Sequence, residues 1–284
     1  MAEHDPSAPT LFDLGALPAP SSTTSFMDLE NPDYAYMFGF LQADGHLAQG
    51  AGRKGQLTVE INARDIHILE EFQRLTPYHS SITQRTRSTN FAAVSHTATW
   101  TLCALEARTT LNELGIPYGK KSRRVTPPRV PFSRPDYLRG VIDADGSVGF
   151  TKEGLPFVSL TTLSTAIAVY LCHYTNRTLG IRKIPGRNKR DGIYNVSYMQ
   201  EAGVALAQHL YTPGSLALER KKAAATEVTA WERPIGMSAP RRRRTWTQLE
   251  DRILLSSATI EEAATTLDRT YQSCSLRRWR LLKK

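Results

Sequence analysis

One short pattern constrains this chain more than any other: an apolar segment that ends in an acid, written twice about a hundred residues apart. The copies are Met37-Phe38-Gly39-Phe40-Leu41-Gln42-Ala43-Asp44-Gly45 and Leu138-Arg139-Gly140-Val141-Ile142-Asp143-Ala144-Asp145-Gly146. Both read as helices sharing a skeleton of Gly, three residues, Ala, Asp, Gly. Helical spacing of four sets Gly39 above Ala43 and Gly140 above Ala144, so each helix carries a face with nothing larger than a methyl group. Two such faces let backbones approach closely, which would leave Asp44 and Asp145 side by side. That pair is electrostatically poor alone, because each acid lies at the negative end of its helix and beside a second carboxylate. A bound cation would make it favourable. Gly45 and Gly146 suit a left-handed C-cap, so each helix is expected to stop there with its acid aimed outward.

A chain of 284 residues with 40% hydrophobic content has room for about two domains with real cores. Lys and Arg exceed Asp and Glu by nine, and the pI is about 9.6. That balance favours a polyanionic partner, nucleic acid first among them. Cys103, Cys172 and Cys274 show no CxxC spacing and are odd in number, which points away from a disulfide framework or a zinc site. No apolar run reaches the ~18 residues of a membrane span, so no membrane partner is expected and the compartment is expected to be the cytoplasm.

Residues 1–30 hold four prolines among the first twenty and read as a flexible leader. After the first motif, Gln56, Thr58, Glu60 and Asn62 alternate with Leu57, Val59 and Ile61, the pattern of a strand with one polar face. Asp65 is placed to cap the next helix, whose apolar stripe is Ile66, Leu69, Phe72 and Leu75. Strands are expected near 80–85 and 97–103, then a helix over 106–114. The second half repeats the order, with strands near 157–163, 182–186 and 193–199 and helices over 165–179 and 202–210. The Pro-rich stretch 126–131 links the halves. The basic tails Lys120-Lys121-Ser122 and Arg220-Lys221-Lys222 close them in parallel fashion.

The doubled string strongly resembles the LAGLIDADG motif of homing endonucleases, and the lead-ins Asp33-Tyr34-Ala35-Tyr36 and Arg134-Pro135-Asp136-Tyr137 fit as well. Gln42 replaces the first acid of the motif, while both copies keep the second. The resemblance covers residues of about 32 to 228. It implies an α+β fold of two pseudo-symmetric αββαββα halves, 31–125 and 126–232, forming a saddle on the DNA major groove. It further implies a sequence-specific endonuclease of mobile-element type that hydrolyses both strands of duplex DNA. Asp44 and Asp145 would be the catalytic acids, holding two or three Mg²⁺ ions, or Mn²⁺ in their place, with the carbonyls of Ala43 and Ala144. Hard oxygen ligands suit such an ion, which activates water and neutralises charge on the reacting oxygens. The family often adds a basic residue at the end of the last strand of each half. Here those places read Cys103-Ala104-Leu105 and Met199-Gln200-Glu201, which leaves Gln200 as a candidate to position water.

The polar strand face of Gln56, Thr58, Glu60 and Asn62 suits direct readout of base edges. Arg53, Lys54, Arg85, Arg87, Lys152, Arg182, Lys183, Arg187, Lys189 and Arg190 would add phosphate contacts. Beyond a basic linker at 233–244, which contains Arg241, Arg242, Arg243 and Arg244, residues 245–284 read as a small all-α, trihelical helix-turn-helix domain. It resembles the Myb or SANT type, whose tryptophans sit in the core. Leu249, Ile253 and Leu254 mark its first helix, a Thr259/Glu262 capping box opens the second, and Leu276 and Trp279 mark the third. That third helix would present Gln272, Ser273, Arg277, Arg278 and Arg280 to the groove. The expected partner is double-stranded DNA, bound by a monomer with no obligate protein partner. A transcriptional regulator of this fold would have lost the acids, and an intein would begin with Cys or Ser and end in His-Asn. The alternatives are that non-catalytic DNA-binding regulator, against which the retained acids speak, and a group I intron RNA maturase.

Overall fold

The computed structural model describes residues 25–50, 54–89, 92–237 and 245–283. Arg53 and Arg241 to Arg244 lie outside them. The described residues fall into two compact units, divided after Arg233, each with its own apolar core.

In the larger unit the first motif is the helix α1 (Pro32–Asp44). Asn31 caps it by accepting from the Asp33 and Tyr34 N–H groups, and Pro32 at its first position needs no partner there. Then come β1 (His46–Leu47), β2 (Leu57–Asn62), a 3₁₀ turn (Ala63–Asp65), α2 (Ile66–Leu75), β3 (Ser80–Thr89), β4 (Ala92–Leu102) and α3 (Leu105–Glu113). This is the expected αββαββα order. The strands form one antiparallel sheet in the order β1-β2-β4-β3. Its alternation works as the sequence suggests: Leu57 and Val59 are buried among Phe72, Trp100 and Leu102, while Gln56, Glu60 and Asn62 face solvent.

The second half runs α4 (Arg134–Asp145), β5 (Gly146–Phe150), β6 (Pro156–Thr162), α5 (Thr165–Leu179), β7 (Tyr194–Met199), α6 (Glu201–Leu210) and α7 (Glu219–Thr229). Its sheet is antiparallel, β5-β6-β7, and so has one strand fewer than expected. Residues 182–186 form no strand. They approach β7 from an isolated bridge, Arg187 to Tyr194, whose register would set Ile184 against Ser197. The Ser197 carbonyl is instead taken by the Lys183 ammonium, and Pro185 brings no N–H. The helix α7 is also new, since its basic opening reads as a tail in the sequence.

The smaller unit has α8 (Gln248–Ser256), α9 (Ile260–Thr266) and α10 (Tyr271–Leu282) around Leu254, Ala263, Leu267 and Cys274. Its complete capping box is Thr247 with Glu250; Glu262 reaches past Thr259 to the Ala258 N–H. Leu249, Leu276 and Trp279, expected inward, are at least half exposed. The tryptophan that packs on this core is the half-buried Trp246, with the Arg269 guanidinium 4.1 Å from its ring centre. Arg269 in turn binds the buried Glu250 through two bonds of 3.0 Å, and this pair fixes how the helices meet.

Candidate active site at the junction of the motif helices

The two motif helices pack along their length at backbone distance. A methyl group added to Gly39 would lie 2.2 Å from the Tyr137 carbonyl oxygen, and one on Gly140 would lie 2.1 Å from that of Tyr36. No side chain fits at either place. Ala43 and Ala144, the small residues one turn further on, are half-buried near the helix ends. Gly45 and Gly146 do not adopt the expected left-handed conformation: φ is −68° and −110°, so both are extended. Space rather than handedness requires glycine there. An added methyl would strike the Leu41 carbonyl at 2.6 Å, or the Ser159 carbonyl at 2.4 Å, because the chain passes straight from helix into strand.

Asp44 and Asp145 are the last residues of α1 and α4, and both keep solvent exposure. Protein packed around them still raises both carboxyl pKa values above the ordinary range. Burial is the main cause, and for Asp44 the nearby Asp145 charge adds to it. Two lysines oppose this rise, one from each half. The Lys121 ammonium donates to the carbonyls of Gln42 (2.5 Å) and Ala43 at the end of α1. The Lys221 ammonium donates to those of Ile142 (2.8 Å), Asp143 (2.6 Å) and Gly146 (2.8 Å) at the end of α4. Each satisfies orphan carbonyls of a helix C-terminus and offsets its partial negative charge. Burial pushes both lysine pKa values down to about 8. Both lysines come from the basic tails that close the halves. Their signal in the sequence is the repeat itself: Lys121 follows Gln42 by 79 residues and Lys221 follows Asp143 by 78.

The first-acid positions of the motif do different work. Gln42 is buried; its amide nitrogen donates to the carbonyls of Gly115 and Thr126 (3.0 Å each), and its oxygen accepts from Tyr137 Oη (2.6 Å). Asp143 is buried too, and accepts from Tyr36 Oη (2.7 Å), Tyr211 Oη (2.6 Å) and the Leu218 N–H (2.7 Å). Burial raises its carboxyl, while these donors pull it back toward the charged form. Each motif helix therefore sends a tyrosine across to the other's first-acid position.

Among the described residues, no three or more His, Cys, Asp or Glu side chains gather to hold a metal. The donor set at the junction is the two aspartates and nearby carbonyls, of which that of Ala43 already accepts from Lys121. Such a set, short of a full protein cage, suits a hard cation that completes its shell with water and phosphate oxygens.

Around this junction the outer sheet faces are polar. Thr58, Glu60 and Asn62 on β2 stand opposite Thr101, Thr99 and Thr97 on β4, which meet Ser81, Thr83 and Arg85 on β3. On the second sheet Ser159 and Thr161 stand opposite Ser197 and Asn195. Several of these side chains already have partners. Glu60 holds Arg87, and Asn62 accepts from the Arg64 N–H in the 3₁₀ turn. Asp65 makes no capping bond; it is buried and grips Arg220 from the other half at 3.0 Å. Lys54, Arg85, Lys152, Arg182, Arg187, Lys189 and Arg190 are exposed, whereas Lys183 is half-buried on Ser197. Gln200 is engaged by Arg233 at 3.2 Å. In the smaller unit Gln272 and Arg280 are exposed, Ser273 and Arg278 are half-buried, and Arg277 is bound to Asp251 through two short contacts.

No family model matches the chain, and no curated protein matches it. Solved structures similar to it include the homing endonuclease I-WcaI bound to its DNA recognition sequence, at 17% identity over 75% of this chain and 96% of that one, with a TM-score of 0.48. The meganuclease I-SmaMI bound to uncleaveable DNA is 14% identical over 70% of this chain and 87% of that one (TM-score 0.46). The I-LtrWI LAGLIDADG homing endonuclease bound to target DNA is 11% identical over 70% and 89% (TM-score 0.42).

Proposed function

We propose that this protein is a site-specific endonuclease of the LAGLIDADG type that cuts both strands of duplex DNA, with Asp44 and Asp145 as its catalytic acids. The observation that carries this reading is the glycine-to-backbone packing of α1 on α4, which ends in two neighbouring aspartates, each attended by a buried lysine. A purely structural helix pair gains nothing from two mutually repelling acids at its tip. Mg²⁺ or Mn²⁺, in two or three ions, would supply an activated water and neutralise charge on the attacking and leaving oxygens. The residues that would hold it are Asp44 and Asp145 with the carbonyls of Ala43 and Ala144.

The chain's own groups do the rest. Both acids must be ionised, so activity is lost as pH falls through their raised carboxyl pKa values. Lys121 and Lys221 are cationic below about pH 8. They hold the helix ends in place and put positive charge beside the phosphates being cut. The threonine- and serine-rich sheet faces, with Gln56, Thr58, Glu60, Asn62 and Arg85, read base edges, and the exposed arginines and lysines grip phosphate. Two motif copies in one chain serve the two strands, so a monomer suffices. The smaller unit adds a second DNA contact through Gln272, Ser273, Arg278 and Arg280 of α10, while Arg277 braces it on Asp251.

The test is incubation with a randomised duplex library and Mg²⁺. One enriched target, cut on both strands and protected by chelation of the metal, is the expected result; binding without scission would contradict it. Removal of residues 240–284 should weaken binding to that target while the larger unit stays folded, and unchanged affinity would remove the smaller unit from DNA recognition.

A further inference from the structure

The outer face of α10 carries the two apolar side chains that the sequence places in the core. At 3.6 residues per turn, Gln272, Leu276, Trp279 and Lys283 fall within about 60° of one another, on the side opposite Cys274. Cys274 is buried and Leu281 packs beside it on the core, while Arg277 is held by Asp251. The inward stripe is thereby complete without Leu276 and Trp279, which are 50% and 54% exposed. Single apolar residues are ordinary on a protein surface. A leucine and a tryptophan neighbouring each other along one line of a helix form a small patch with a definite frame.

That frame is polar and basic. The Lys283 ammonium lies 4.2 Å from the Trp279 ring centre, Gln272 stands at the N-terminal end of the line, and Arg280 flanks it. Residues 271–283 contain Arg277, Arg278, Arg280 and Lys283 and no acid. Charge is depleted at the core of a protein–protein contact, so the patch matches a protein partner poorly. The major groove of DNA matches it well: phosphates wall the groove, and its floor offers polar base edges with one apolar feature, the 5-methyl group of thymine. An amide such as that of Gln272 pairs with the adenine edge in the same groove, so the amide and the apolar pair suit the two halves of an A·T pair.

Resting on the reading of this unit as a second DNA contact, we infer that Leu276 and Trp279 read thymine methyl groups in the major groove, so that the smaller unit selects an A·T-containing segment of the target. The two side chains are about 4.5 Å apart along the helix axis, and they meet neighbouring base pairs. Methyl contacts discriminate without releasing counterions, whereas Arg280 and Lys283 add affinity that salt weakens.

The test uses the full chain and the duplex enriched from the randomised library, with each thymine replaced in turn by deoxyuridine, which lacks only the methyl group. For wild type, one or two neighbouring replacements should each weaken binding about fourfold, the worth of one buried methyl. Leu276→Ala/Trp279→Ala should bind the unmodified duplex at least about tenfold more weakly, lose its response to those replacements and keep the wild-type slope of affinity against salt. Leu276→Met/Trp279→Phe, which keeps the apolar bulk, should recover most of the affinity and the thymine response. Arg280→Ala should instead lower the salt slope by about one and keep the thymine response. A thymine response that survives in the alanine variant, no response at any position in wild type, or unchanged affinity of the variant would overturn the inference and leave the endonuclease reading in place. Loss of self-association by the variant with DNA affinity unchanged would assign the patch to a second copy of this chain and overturn it as well. Failure of wild type to enrich any duplex would overturn both readings together.

Discussion

At the same step of their motif helices the two halves carry Gln42 and Asp143; a tyrosine hydroxyl donates to each, but their remaining partners are carbonyls at Gln42 and donors at Asp143. Gln42 lies against two carbonyls, so that site needs a donor. Asp143 lies against two hydroxyls and an N–H, so that site needs an acceptor. The loss of the acid in the first copy is therefore explained by packing against its own tail. What the comparison teaches is a division along the motif: the first-acid position ties helix to tail, and the second-acid position two residues later keeps the solvent exposure that the proposed chemistry requires.

The largest effect that would break this contrast is at Asp143. Its replacement by Ala strands three donors, those of Tyr36 and Leu218 buried and that of Tyr211 part-buried, each worth about 1–3 kcal/mol. Urea denaturation of Asp143→Ala should show a loss of about 4 kcal/mol, whereas Gln42→Ala should lose less, since it strands one hydroxyl and two carbonyls that are only part-buried. Equal losses would erase the asymmetry. The two halves should instead agree at their glycines. Gly39→Ala and Gly140→Ala each force a methyl into a backbone oxygen, and each should cost about 3 kcal/mol in the same assay; a large difference between them would show that the helices do not meet symmetrically.

A smaller effect separates the lysines from ordinary surface charges. Their folded pKa values, about 8, lie below the ordinary 10.5, so between those limits the unfolded chain binds more protons and stability rises with pH. Below pH 8 the full cost of burying each ammonium is present. Lys121→Met should remove one share of that rise, and the stability difference between wild type and variant should change across pH 8 to 10. A difference that stays constant with pH would mean Lys121 is not titrating as a buried cation.

Much of this architecture is legible from local pattern. Alternation at Leu57 to Asn62 gives a strand because each step flips a side chain between core and solvent, and the Gly/Ala spacing gives a close helix pair because small faces are the only ones that allow it. What is not legible depends on distant partners. The absent strand at residues 182–186 is decided by where one lysine's ammonium goes, and Asp65, in a capping place, is taken by Arg220 from the other half. Lys121 and Lys221 reach the site from across the fold, with no local signature beyond their matched distance from the motif. In the smaller unit, helical periodicity alone does not say which apolar stripe turns inward, and Trp279 and Leu276 fall on the outer side.

The central claim is that Asp44 and Asp145, and not their neighbours Gln42 and Asp143, carry the chemistry. Single-turnover cleavage of the selected target by the Asp44→Asn/Asp145→Asn variant, with DNA affinity measured in parallel, tests it most directly. The account predicts binding within a few-fold of wild type and a cleavage rate lower by at least about a thousandfold. Cleavage that survives the double substitution would contradict it.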